Sequence, residues 1–152
     1  MSIPAIGGMY ATVNGQQLSK EQYLKEREEN NNHVLNHERE HLAAAGEFAV
    51  GGIHLDYNSQ GWATGGHVNI KMPTLDKSNP QKTIRHAEIV QKAALAPSDP
   101  SGQDLKVAAQ ASKVLFQAQQ AMNNRENFTQ NISGRNYATD PNHIGKNLNL
   151  TT

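Results

Sequence analysis

Five consecutive residues, His37-Glu38-Arg39-Glu40-His41, carry the densest potential chemistry in this chain and read as His-Glu-x-x-His. On a helix, two imidazoles four residues apart project from one side about one turn apart and can bind a single Zn²⁺. The Glu38 carboxylate borders that side and can reach a water on the metal, so one turn of helix offers two ligands and a general base. The plainer reading is a polar stretch of surface helix, because the neighbouring Glu and Arg residues are good helix formers. The flanks favour the metal. Val34, His37, Glu38, His41 and Ala45 fall on one stripe at helical spacing, beside Leu35 and Leu42, so the motif occupies the face that should turn inward. Polar groups there need a reason, and a bound ion supplies one.

The elements that must position this motif follow from patterning. Ser19-Lys20-Glu21-Gln22 has the form of a capping box. Helix propensity then runs to Ala45, with Gly46 as a natural stop. The Asn30-Asn31-Asn32 triplet leaves two possibilities, one long helix over 20–45 or a break that caps a second helix. From Gly51 the period changes to two: Ile53, Leu55 and Tyr57 alternate with polar residues, Asn58-Ser59-Gln60-Gly61 resembles a turn, and Val68, Ile70 and Met72 alternate again. Pro73 ends that strand. Ser78-Asn79-Pro80 starts a helix to about Leu95, with Ile84, Ala87, Val90 and Ala94 on its inner face. After a Pro/Ser/Gly loop over 96–102, Ser101 and Asp104 resemble another cap, and Leu105, Ala108, Ser112, Leu115 and Met122 continue an amphipathic helix to about Asn124.

The expected fold class is therefore α+β: a zinc-motif helix, a short β-hairpin and two further helices. The expected organisation is an arm or short strand over 1–18, one domain over 19–124, and a flexible polar tail over 125–152. Hydrophobic residues make up 36% and aromatics 5%, with mean hydropathy −0.70, so the core must be small. Net charge is zero with no basic block, which argues against nucleic-acid or anionic-membrane partners. The absence of cysteine excludes thiolate metal sites and disulfides. Neither a signal peptide nor a membrane span is legible, so the expected location is cytoplasmic by default, or outside the cell by a leaderless route.

Three blocks carry a family resemblance. They are His37-Glu38-Arg39-Glu40-His41-Leu42-Ala43-Ala44-Ala45-Gly46, then Ala63-Thr64-Gly65-Gly66-His67-Val68-Asn69-Ile70, then Ala93 to Asp104 followed by Val107-Ala108-Ala109. With these, the chain resembles the SprA-related family of bacterial metalloproteases over roughly Val34 to Ala121. The resemblance implies a zinc-dependent hydrolase acting on a protein or peptide. At one point the chain departs from the family, whose members usually have Gly-Gly-Glu-Val where this chain has Gly65-Gly66-His67-Val68. Glutamate and histidine both bind zinc, which makes His67 the preferred third ligand; the alternative is that this position holds no metal.

The residues themselves offer other candidates. His67 follows two glycines, which permit close backbone approach, and begins a strand that can lie against the zinc helix. Glu47 lies six residues after His41, the spacing of the third ligand in metzincins, but Ala44 replaces the glycine of that motif. His33 sits in line with His37 and His41 on the same helix, and three such ligands cannot surround one tetrahedral ion. His54 and His86 are more distant alternatives. Asp104 is most simply a helix cap, and its functional reading is a carboxylate that orients a ligating imidazole or replaces a ligand. Trp62 and Tyr57 read first as hairpin core, with Tyr57 as a conceivable oxyanion stabiliser. The expected function is a zinc metallopeptidase with Glu38 as base and His37, His41 and His67 on the metal. The alternatives are an interaction module with a structural or vestigial metal site, and a zinc amide hydrolase acting on a cell-wall bond.

Overall fold

Ser19 begins the helix on which both hairpins and the second helix pack. In the computed structural model, which describes residues 9–13 and 15–135, its Oγ accepts from Gln22 N at 3.2 Å, and Gln22 Oε1 accepts from Ser19 N at 3.0 Å. This reciprocal cap satisfies two donors at the start of α1 (Lys20–Ala45). The helix runs unbroken through the asparagine triplet, which settles the open alternative in favour of one helix. Asparagine side chains usually compete with helical backbone for hydrogen bonds; here they are engaged elsewhere. Asn30 Nδ2 donates to Ala63 O at 2.9 Å, Asn31 Nδ2 donates to Gly61 O at 2.9 Å, and Asn31 Oδ1 accepts from Ala63 N at 2.6 Å. The triplet is a clamp on the hairpin.

That hairpin pairs β3 (Ala49–Tyr57) with β4 (Ala63–Ile70) in antiparallel register, His54 opposite His67 and Leu55 opposite Gly66. Asn58 organises the turn: its Oδ1 accepts from Gln60 N and Trp62 N, and Gly61 closes it at φ 79°, a conformation that favours glycine. A smaller hairpin, β1 (Met9–Val13) with β2 (Gln16–Ser19), precedes α1, so the described part of the expected N-terminal arm is a paired strand unit. Leu18 and Tyr23 are buried together under Trp62, whose Nε1–H donates to Tyr23 Oη at 2.8 Å. Trp62 is thus a structural residue, as its plainer reading held.

Asn79 caps α2 (Pro80–Ala94), accepting from Lys82 N, with Pro80 in the first turn. Helix α3 (Gly102–Arg135) packs along α2 through small residues: Ala87, Val90, Ala93, Ala94, Ala108, Ala111 and Ala118 are buried. Val90 is the largest side chain that is fully enclosed. A core of alanines lets helix backbones approach closely, and it explains how a chain so poor in aromatics packs three helices. The fold class is α+β, as the patterning implies.

One boundary differs from expectation. Helix α3 does not stop near Asn124 but continues to Arg135. Extending an existing helix costs far less than starting one, so it needs no apolar stripe. The extension is also anchored, since Arg125 Nη1 donates to Ser78 O at 2.8 Å. The remainder of the expected tail, 136–152, lies outside the described residues, as do 1–8 of the arm. No helix among the described residues is long and apolar enough to cross a membrane.

The asparagine clamp generates a test. Replacing Asn31 with Ala removes its two hydrogen bonds to the hairpin, and a longer one from Asn30, and strands two part-buried hairpin groups, a loss of about 1–3 kcal/mol. Thermal unfolding should show Tm falling by roughly 3–10 °C, whereas Asn32→Ala, at an exposed neighbour, should leave it nearly unchanged.

Candidate metal centre

The last turn of a helix leaves backbone carbonyls without helical partners. At the end of α2 the Ala93 carbonyl, which also accepts from Ala96 N at 3.3 Å, receives a further bond from α1: the buried His41 donates its Nδ1–H to Ala93 O at 2.9 Å. With the proton held on Nδ1, a neutral His41 presents its lone pair at Nε2. His37 repeats the arrangement with a carboxylate, its Nδ1 lying 3.3 Å from Asp99 Oδ1. Both Nε2 atoms then point to the same place, 3.2 Å from one another.

Asp104 completes the convergence from α3. Its Oδ2 lies 3.4 Å from His41 Nε2 and 4.0 Å from His37 Nε2. The same oxygen accepts from Ser101 N at 2.7 Å, and Asp104 N donates to Ser101 Oγ at 3.3 Å. Asp104 is therefore a helix cap and a member of the cluster at once; the capping bonds hold its carboxylate in place. With both rings neutral and protonated at Nδ1, the two Nε2 lone pairs and the Asp104 oxygen would all be acceptors facing one point. A cation placed between them would satisfy all three. His37, His41 and Asp104 offer donor atoms within 4.8 Å of one another and could hold a metal ion.

Glu38 stands beside this cluster. It is 4% exposed, and its Oε2 is buried with no hydrogen-bond partner within the protein. Burial raises its pKa above the ordinary 4.5; His41 and His37 oppose the rise and Asp104 adds to it. An unpartnered buried carboxylate oxygen costs about 1–3 kcal/mol or more, so the site holds a strong acceptor in reserve for a ligand. The group opens into a cleft of about 630 Å³ between α1, β4 and the start of α3.

Strand β4 reaches Glu38 because Gly66 has no side chain. A Cβ there would lie 2.7 Å from Glu38 Cγ, 2.9 Å from His54 O and 2.9 Å from Leu55 Cδ2. That contact also fixes which face of β4 looks at α1. Gly66, Val68 and Ile70 are part-buried toward the helix, while His67 and Asn69 alternate to the exposed side.

This parity accounts for the main difference from the expected site. His67 lines the same cleft, but its ring stacks on that of His54, with centroids 4.9 Å apart, and it does not join the cluster. The strand alternation that spares it from the core places it on the exposed side of β4, within electrostatic reach of Glu38. Asp104, expected as a possible alternative ligand, is the third member of the group that could hold a metal ion. Glu47 is exposed in the short 3₁₀ turn Gly46–Phe48 and does not line the cleft. His33 lies exposed on the rim. His86 stacks on Phe48 and donates Nε2–H to Lys71 O at 2.8 Å, a structural role. Tyr57 is 55% exposed at the end of β3 and does not line the cleft.

Two contributors escaped the sequence reading. Asp99 and the Ala93 carbonyl orient the two imidazoles, and both fall inside the Ala93–Asp104 block. That block is the segment that faces the His-Glu-x-x-His turn.

Compared with known proteins, the chain matches the family model of the SprA-related family over residues 11–140. Neither a curated protein nor a solved structure matches it.

The glycine contact is directly testable. Gly66→Ala forces a backbone shift against His54 O, and overpacking of this kind costs about 1–3 kcal/mol. Gly65→Ala, where an added Cβ meets nothing within 4 Å, should cost much less. Parallel thermal melts of the two variants distinguish a close approach at Gly66 from a general intolerance of the strand.

Proposed function

This chain belongs to the SprA-related family, and from that premise we propose that it is a zinc-dependent metallopeptidase. In this reading His37, His41 and Asp104 hold the metal and Glu38 is the general base. The observation that carries it is the convergence of His37 Nε2, His41 Nε2 and Asp104 Oδ2 beside an unpartnered buried carboxylate.

The donor set suits zinc. Tetrahedral bonds of about 2.0–2.1 Å place ligand atoms about 3.3 Å apart, and two of the three separations here are 3.2 and 3.4 Å. The third, 4.0 Å, asks the His37 and Asp104 side chains to close slightly. Nitrogen and carboxylate donors without cysteine, each braced by a second hydrogen bond, are those of hydrolytic rather than structural zinc. Among the described residues no fourth His, Cys, Asp or Glu joins the cluster, which supports an open position for solvent or substrate. Zinc held there would activate water and polarise the scissile carbonyl.

The chain's own groups supply the rest. Glu38 takes the proton of the attacking water and passes it to the departing amine. Its burial makes it a stronger base than an exposed carboxylate, because desolvation disfavours the charged form. His41, locked to Ala93 O, and His37, held by Asp99, keep their Nε2 lone pairs aimed at one point. The cleft beside them admits an extended peptide.

Variants separate these roles. Protein reconstituted with zinc should hold about one ion per chain by elemental analysis, and His41→Ala should lose both ion and hydrolysis. Glu38→Gln should keep the ion and the fold yet lose about 10²–10⁴-fold in rate on a peptide-library substrate, since an amide cannot accept the proton. Asp104→Ala should weaken zinc binding strongly while His67→Ala leaves it nearly unchanged. Full activity in Glu38→Gln would place the base elsewhere, and the reverse order for Asp104 and His67 would exchange their roles. Asp99→Ala, which only frees the His37 ring, should cost about tenfold in zinc affinity.

A further inference from the structure

We propose that the cleft selects its peptide by an apolar side chain next to the bond to be cut, with Val34, Val68, Ile70, Met72 and Val107 forming the selecting walls. This rests on the metallopeptidase reading above and specifies its substrate class.

Four of the five residues come from α1, β4 and α3, with Met72 just after β4, and all line the cleft that holds Glu38 and Asp104. Each is part-buried, so each keeps apolar surface open to the cleft. Their placement is tied to the reacting groups by regular geometry. Val34 lies one helical turn before Glu38, and Val107 lies one turn after Asp104. Val68 and Ile70 share the face of β4 on which Gly66 meets Glu38, and Met72 continues that alternation just beyond the strand. Apolar surface therefore adjoins the cluster on all three elements.

Charge points the same way. Among the described residues, the cleft lining includes the carboxylates of Glu38 and Asp104 and several histidines, but no lysine or arginine. An acidic substrate side chain would lose its hydration there and meet no cation of the chain, a costly exchange. A basic side chain would find both carboxylates already committed, one to the metal and one to the proton transfer. A leucine-sized group loses only its contact with water, which is favourable. At about 630 Å³ the cleft lies within the range of roughly 300–1,000 Å³ typical of ligand sites, with room for such a side chain and the peptide that carries it.

The test is calorimetric titration of the zinc-loaded full chain with three dipeptide hydroxamates that share one backbone and bear leucine, aspartate or lysine. The leucine probe should bind at least tenfold more tightly than either charged probe. Met72→Ala, which trims a wall without adding charge, should weaken the leucine probe several-fold and leave the others unchanged. Val107→Lys should improve the aspartate probe and erode the preference for leucine; the wild-type order and Met72→Ala decide the matter even where this variant folds poorly. Equal affinities, tighter binding of a charged probe, or no binding by any of the three to zinc-loaded protein would overturn the inference while leaving the metal assignment intact. A chain that takes up no zinc would overturn the metal assignment, and this inference with it.

Discussion

The hydrogen bond from His41 Nδ1 to the Ala93 carbonyl is the constraint on which the site depends. It is 2.9 Å long and buried, and it ties the C-terminal part of α1 to the final turn of α2. The carbonyl accepts from Ala96 N in a local turn, and its second lone pair receives the imidazole. The bond sets the His41 tautomer, and it places the end of α2 so that the following loop delivers Asp99 and Asp104 to the same imidazoles. Without it, a lone pair would be misdirected and the two helices would lose their registration together.

Close packing makes that registration possible. Buried alanines line the contact of α2 with α3, and Ala45 is buried on α1 just after the motif. Small side chains allow the backbones to come near enough for side chains from three helices to meet. Gly66 does the same from the sheet side, where even a methyl group would collide with Glu38. The result is a carboxylate removed from water, next to a cluster rich in acceptors. Stability is surrendered at Glu38 Oε2, and a site with an unsatisfied buried acceptor is one prepared for something to bind.

Much of this was legible in the sequence. The inward stripe containing His37, Glu38 and His41, the hairpin, the caps at Ser19 and Asn79, and the α+β class all follow from local periodicity and turn chemistry. The third donor was less legible because it depends on which face of β4 meets α1. Alternation says that His67 and Gly66 face opposite ways, but only the tertiary contact at Gly66 says which way is inward. Asp104 was hidden by its own capping signal, since one oxygen serves both purposes. The asparagine triplet was ambiguous for a similar reason: whether it breaks or keeps a helix depends on the distant Gly61 and Ala63 backbone. The end of α3 was misplaced because a helix already nucleated continues without an apolar pattern.

The central claim is that two imidazoles and one carboxylate, drawn from α1 and α3, hold a zinc ion with a position left open. Anomalous diffraction at the zinc absorption edge, from crystals of the zinc-loaded protein, addresses it most directly. The account predicts a single strong peak within about 2.0–2.2 Å of His37 Nε2, His41 Nε2 and an Asp104 oxygen, with a solvent atom as the remaining ligand and Glu38 beside it. A peak ligated by His67 in place of Asp104, a closed shell of four protein ligands, or no peak between His37 and His41 would contradict it.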